Sequence, residues 1–458
     1  MTFRQALLAS ALVGVAAIVA PAASAQEFTD VLSAAYNNNP TLLAARAALR
    51  ATDEGVPQAL SGWRPTVSVN GSVGEQTTDY SLNTTSTQDG STTPRSLSLT
   101  VSQPLYRGGR TEASTSSAEA LVLAGRQDLA GTERSVLLDG VTAYMDVVQN
   151  QAVLDLNRNN EEVLRRQLDA TRERFRVGEI TRTDVAQAES RLSRATADRI
   201  SAEGALVSSR AVLARVIGEM PGTLKEPPPL PPLPKSEEES LTIAYDENPT
   251  LLGAKFREAS ARFDVRAISG ALLPTVSVNA SATRSEESTT SHIDSDNAQI
   301  ALALTVPLYE SGSVYSQTRQ RKQIYNQRRI QVEEQRRAVR QAVVQAWETL
   351  TTARSNIQAR SDQVDAARVA LEGVQQEAEV GSRTTLDVLD QEQEYLDARV
   401  ALVQAHRDEY VAGYSLLSSV GRLGARQLGL PVEYYDPINN YNRVRDKWFG
   451  TDGGLNVE

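Results

Sequence analysis

The chain has no cysteine and only two histidines among its 458 residues. Without thiols no disulfide can form, and a lipid-modified N-terminal cysteine is not expected. His292 falls in a polar loop and His406 in a charged helix, and neither belongs to HExxH or a comparable metal spacing. A phosphate-cradling glycine loop and a GxSxG elbow are also missing. These gaps leave no candidate catalytic, metal or cofactor residue, so an enzyme is not expected. Aromatics are sparse, at 5%. Acids outnumber bases by 57 to 47, giving a net charge of −10, and the two signs are interspersed, which makes nucleic acid an unsuitable partner. Beyond residue 25 no apolar run approaches the ~20 residues of a membrane-spanning helix. Proline is absent from two very long stretches, Arg110 to Arg176 and Tyr315 to Glu379.

What the chain does have is repetition. PTVSVN stands at Pro65–Asn70 and again at Pro274–Asn279, 209 residues on, and AYNNNPTLL from Ala35 matches AYDENPTLL from Ala244 at the same offset. Downstream the offset becomes 203: QPLYRGG from Gln103 answers VPLYESG from Val306, RVGEITRTDV from Arg176 answers EVGSRTTLDV from Glu379, and Gly218 answers Gly421. A repeat of fixed period is read before any local feature. It divides the chain into a secretory signal at 1–25 with an Ala23-Ser24-Ala25 cleavage site, repeat 1 at 26–218, a Pro-rich linker at 219–240, repeat 2 at 241–421 and an irregular tail at 422–458 whose Gly-rich end is expected to fray.

Within each repeat the period changes from helix to strand and back. An alanine- and leucine-rich helix is interrupted at AYNNNPT. Then Val67, Val69 and Val73 alternate with Ser68, Asn70 and Ser72, and Leu97, Leu99 and Val101 with Ser98, Thr100 and Ser102. Such alternation marks strands with one apolar and one polar face. The result is a β-hairpin at 64–105 with a long polar loop, Glu75 to Arg95, and a second at 273–308 with a loop from Arg284 to Asn297. About ten residues per strand matches a tilted bilayer crossing, although a soluble sandwich would alternate similarly. Helical hairpins follow at 110–218 and 315–421. In the second, Val339, Val343, Ala346, Leu350, Ala353 and Ile357 form a seam of four-and-three spacing. A helix of some 65 residues is roughly 100 Å long. Each hairpin turns at valine-glycine, Val177-Gly178 and Val380-Gly381, and restarts at Thr181-x-x-Asp184 or Thr384-x-x-Asp387, the capping-box spacing. Turn chemistry accounts for those glycines, and capping is one sufficient explanation of Asp387. Asp390, a turn further on, has no capping role, and its first-repeat counterpart is Gln187.

Four strands cannot close a barrel, and open edges in hydrocarbon leave backbone groups unpaired at several kcal/mol each. More than one copy is therefore required. A pore-free periplasmic or surface coiled-coil protein, an adaptor or adhesin, is the rival reading. It explains the heptads but neither the bilayer-length strands nor the duplication.

The signal segment, the duplicated strand–strand–helix–VG–helix unit and the PLY motifs together resemble the TolC-like outer membrane factors over nearly the whole mature chain. The resemblance implies a mixed α+β membrane protein. In it a homotrimer builds a twelve-stranded outer-membrane β-barrel, four strands per chain, continuous with an antiparallel α-helical coiled-coil tunnel through the periplasm. It implies an exit duct for efflux or type I secretion that opens on docking to an inner-membrane transporter and a periplasmic adaptor (membrane fusion protein). It also implies roles at the tips. Asp387 and Asp390 ring the pore entrance. The gate-closing contacts are Arg383 with Thr183, and Asp184 with a tyrosine. The turns Val177, Gly178, Thr181, Val380, Gly381 and Thr384 meet the adaptor. Ala378 stands where the family places a gate tyrosine, so that link is expected to be missing.

Overall fold

The computed structural model describes residues 26–80, 88–287 and 294–452. The signal segment at 1–25, His292 and the central part of each surface loop lie outside them.

Repeat 1 opens with α1 (Phe28–Asn38), α2 (Pro40–Asp53) and α3 (Gly55–Leu60). The break in AYNNNPT falls at Asn39, whose side chain accepts from the Thr41 amide and caps α2, with Pro40 at its first position. Strands β1 (Thr66–Val73), β2 (Gln76–Tyr80), β3 (Gln88–Thr92) and β4 (Arg95–Arg107) follow, then helices α4 (Arg110–Arg176) and α5 (Arg182–Ile217). Repeat 2 comprises α6 (Glu237–Glu247), α7 (Pro249–Ser269), β5 (Thr275–Glu286), β6 (Ser295–Thr305), α8 (Ser313–Glu379) and α9 (Thr385–Val420), and α10 (Asn439–Val444) lies in the tail. α4 and α8 each span 67 residues, and α5 and α9 each span 36.

β1, β4, β5 and β6 form one antiparallel sheet in that order. Its register keeps each parity on one face: Val67 opposes Val101, Val101 opposes Ala280, and Ala280 opposes Ile300. On the other face Thr66, Ser102, Asn279 and Ala301 are aligned. The hairpins expected separately are thus joined through β4 and β5, leaving β1 and β6 as edges. The long loop of the first hairpin is not wholly irregular. β2 and β3 pair as their own two-stranded ribbon, which Thr-, Ser- and Asp-rich sequence without apolar alternation did not announce.

Below the sheet, α4 packs against α5, α7 and α2, and α8 packs against α9 and α7. Of the expected seam, Val339, Val343, Ala346, Leu350 and Ala353 are buried and Ile357 is half-buried. A belt then wraps the helices. Phe28 of α1 meets Tyr144 of α4 edge-on at 5.2 Å and Tyr410 of α9 at 5.7 Å. The Tyr144 hydroxyl donates to the Lys225 carbonyl at 2.6 Å and the Tyr410 hydroxyl to that of Pro228 at 2.8 Å, pinning the Pro-rich segment to both helical hairpins. The irregular tail packs on the helices through single residues: Leu423, Ala425, Leu430 and Val444 are buried, and the end past residue 452, expected to fray, lies outside the described residues. Its apolar side chains are too widely spaced to show a period, so sequence pattern could not reveal that packing. Among the described residues no helix is long and apolar enough to cross a membrane.

Candidate functional site

The far ends of the two helical hairpins are built alike. Gly178 and Gly381 adopt left-handed conformations, φ +82° and +79°. The amide after each glycine returns to the last helical turn: Glu179 donates to the Arg174 carbonyl at 3.0 Å, and Ser382 to that of Glu377 at 2.9 Å. α5 and α9 then start at capping boxes. The Thr181 amide donates to Asp184 Oδ2 at 2.9 Å, and the Thr384 amide to Asp387 Oδ2 at 2.9 Å. The hydrogen bonds from Thr384 backbone and side chain, aided by nearby Arg383, hold the Asp387 carboxyl below its usual range. The Thr181 hydroxyl and amide do the same for Asp184.

The tips differ in charge. Arg174 pairs with Glu179 at 2.6 Å on the first, and Arg383 with Glu377 at 2.8 Å on the second. Glu377 is the counterpart of Arg174, so the polarity is reversed. Residues 165–191 carry seven basic and five acidic side chains, whereas residues 368–394 carry two basic and seven acidic ones. Val177 and Val380 are 78% and 80% exposed, and nothing lies within 4 Å of where a side chain on either tip glycine would begin.

The two hairpins meet just behind these tips. Leu389 of α9 is 2% exposed and packs with Leu164 and Leu168 of α4 and Ala188 and Ala195 of α5. Beside it the Asp390 carboxylate is paired with the Arg191 guanidinium of α5. Of the residues singled out in sequence, Asp387 is engaged in its own cap and Asp390 faces the other hairpin. Arg383 is held by Glu377 and is not brought to Thr183, and Asp184 is occupied by Thr181.

A profile of the outer membrane efflux protein family matches residues 31–219 and again 241–422. The chain belongs to this family. The outer membrane efflux protein BepC of Brucella suis is 37% identical over 451 residues, covering 98% of this chain and 96% of its own. The outer membrane protein TolC of Vibrio cholerae is 26% identical over 413 residues, 88% of this chain and 92% of its own. The crystal structure of the outer membrane protein VceC from Vibrio cholerae shares the fold, with a TM-score of 0.74 at 18% identity, covering 86% of this chain and 96% of VceC. This member of the efflux family resides in the outer membrane and is an outer-membrane exit duct. The pore-free adaptor or adhesin reading is thereby set aside.

For an efflux-family tip, the residues that sequence reasoning missed are Arg191 and Leu389. Arg191 had a readable signal. Ala188, Arg191 and Ala195 keep three-and-four spacing, so an arginine occupies a seam position usually reserved for apolar side chains.

Proposed function

We propose that three copies of this chain close a twelve-stranded barrel in the outer membrane, continued by a helical tunnel whose far end is gated. The bareness of α8 carries this reading. α4 has buried residues from its start, at Thr111, Ala113, Ser117 and Ala120, because α7 lies along it. α8 is its counterpart, yet has no buried residue before Val332. Its missing neighbour is the first short-helix pair, α2 and α3, of another copy. The strands support the same reading. Leu105 and Tyr106 sit beside β5 and are 50% and 42% exposed, while their counterparts Leu308 and Tyr309, past the end of β6, are 93% and 80% exposed. An even-numbered barrel leaves no edge in hydrocarbon, and cyclic closure of identical copies is the common solution.

In this assembly the small polar face of the sheet lines the lumen. The two hairpins of each copy stay shut through Leu389 and the Arg191–Asp390 pair. Asp387 and Asp390 ring the entrance, and Arg383 adds a closing contact toward Thr183 of a neighbouring tip. The six exposed turns meet the hairpins of a periplasmic adaptor, which with an inner-membrane transporter delivers cargo and draws the entrance open. An acidic constriction favours cations and binds multivalent ones. In a planar bilayer the protein is expected to conduct with cation preference and to be blocked by multivalent cations from the tip side. Asp387→Ala/Asp390→Ala should lose both properties. Unchanged selectivity and block in that variant would overturn the assignment of the entrance.

A further inference from the structure

The tail leaves two large aromatic side chains bare. Trp448 is 56% exposed and Phe449 85%, and their ring centroids are 6.4 Å apart. Their position is fixed by the rest of the tail. Its start is held where the Ala425 amide donates to Glu133 at 2.7 Å. Further on, Asn440 donates to Asp53 at 2.8 Å, and Arg445 pairs with Glu119 at 3.7 Å. From Glu133 to Glu119 the tail therefore climbs α4 toward the sheet, by roughly 20 Å at the helical rise. At Lys447 and Trp448 it meets Arg64, whose Nη1 donates to the Lys447 carbonyl at 2.8 Å and whose guanidinium lies 5.0 Å from the Trp448 ring centroid. Arg64 stands two residues before β1.

The foot of the sheet carries matching groups. The Trp63 carbonyl accepts from Gln103 of β4 at 2.8 Å, and its side chain is 40% exposed. Two of the three tryptophans, Trp63 and Trp448, are thus at this one level. Arg107 lies over Gly62, where an added Cβ would meet its Nη1 at 2.7 Å, and Arg110 donates to the Arg107 carbonyl at 3.1 Å. Aromatic rings with guanidinium groups beside them, at the level where strands leave a bilayer, match the chemistry of a phospholipid headgroup layer. The rings take the boundary between acyl chains and headgroups, and arginine takes phosphate.

We infer that the C-terminal tail is a membrane foot: Trp448 and Phe449 enter the phospholipid leaflet on the periplasmic side of the outer membrane, with Arg64 and Arg107 facing lipid phosphates. The inference rests on the reading that the strands span that membrane. It gives the tail a purpose separate from the tunnel, holding the junction of sheet and helices at a fixed depth.

The test uses the full-length protein with Trp63→Phe and Trp347→Phe, so that Trp448 is the sole fluorophore, reconstituted into phosphatidylethanolamine–phosphatidylcholine vesicles. With bromine on the upper acyl chain, Trp448 emission should fall by about two-fold and resist aqueous iodide, as for an interfacial tryptophan. Quenching by iodide alone would place Trp448 in water. Quenching by neither would place it beneath a neighbouring copy. Either result overturns the inference. A parallel variant with Leu302→Trp as the sole tryptophan reports on the strands. If bromine quenches it but not Trp448, the foot fails and the membrane-spanning sheet stands. If bromine quenches neither, both fall.

Discussion

Asp387 and Asp390 are three residues apart and of one chemistry, yet they have different partners. Asp387 closes the cap of α9, and sequence spacing already revealed that role. Asp390 faces Arg191, a contact spanning 199 positions of chain that no local pattern encodes. Leu389 between them is the stronger tie. Burial of a leucine is worth about 2–5 kcal/mol when truncated to alanine, whereas a partly exposed ion pair is worth at most about 1 kcal/mol. Leu389→Ala should therefore loosen the hairpins and raise single-channel conductance markedly. Arg191→Gln should shift the open-to-closed ratio by no more than about five-fold per copy. By freeing Asp390, however, it should strengthen cation preference and multivalent block. Bilayer recordings of the two variants check this. A large rise in conductance from Arg191→Gln, with none from Leu389→Ala, would reverse the assignment.

At the scale of the element, long regular segments were the most legible. The proline-free runs, the heptad seam and the threonine–aspartate spacing marked the helices because each repeats one physical requirement many times. The strands were legible because apolar and polar residues alternate strictly along them. The β2–β3 ribbon was not, since its sequence is polar at both parities and shows no apolar alternation. The packed tail escaped notice for a related reason: its contacts are single residues reaching other elements. Of the candidate site, the caps and turns were readable. The contact between the hairpins was not, because it depends on how two distant helices lie together. The starts of α5 and α9 carry a pH prediction. Asp184 and Asp387 are held below their ordinary carboxyl range in the folded chain. Their contribution is therefore complete above that range and is lost as pH falls through the lowered folded values. Hydrogen exchange at residues 181–188 and 384–391 should stay protected near neutral pH, apart from the intrinsic rate change. Protection should weaken only under acid conditions, and earlier in Thr384→Ala, which loses its hydroxyl cap. Fraying of the wild-type turns near neutral pH would contradict this account.

For the whole molecule as proposed, a trimer, the duplicated sequence makes one chain's interior a template for the boundary between chains. Ser102 of β4 faces Asn279 of β5, and the Ser102 hydroxyl donates to Asn279 Oδ1 at 2.7 Å. In the proposed trimer, shifting the first by 203 and the second by 209 would bring Thr305 of one copy opposite Asn70 of the next, both on the polar parity. In the proposed trimer the same shift that relates α4 and α7 would set α8 against the neighbour's α2 and α3. The absence of cysteine makes this directly testable, since any disulfide must come from the residues introduced. Thr305→Cys/Asn70→Cys in the outer membrane should oxidise to a ladder that stops at three covalently closed copies. The extracted trimer should still conduct ions, and Thr305→Cys with Ser68→Cys should link poorly. A ladder that stops at two copies or runs past three, or a monomer that does not link in membranes where it is properly inserted, would contradict the claim that three identical chains enclose one conduit.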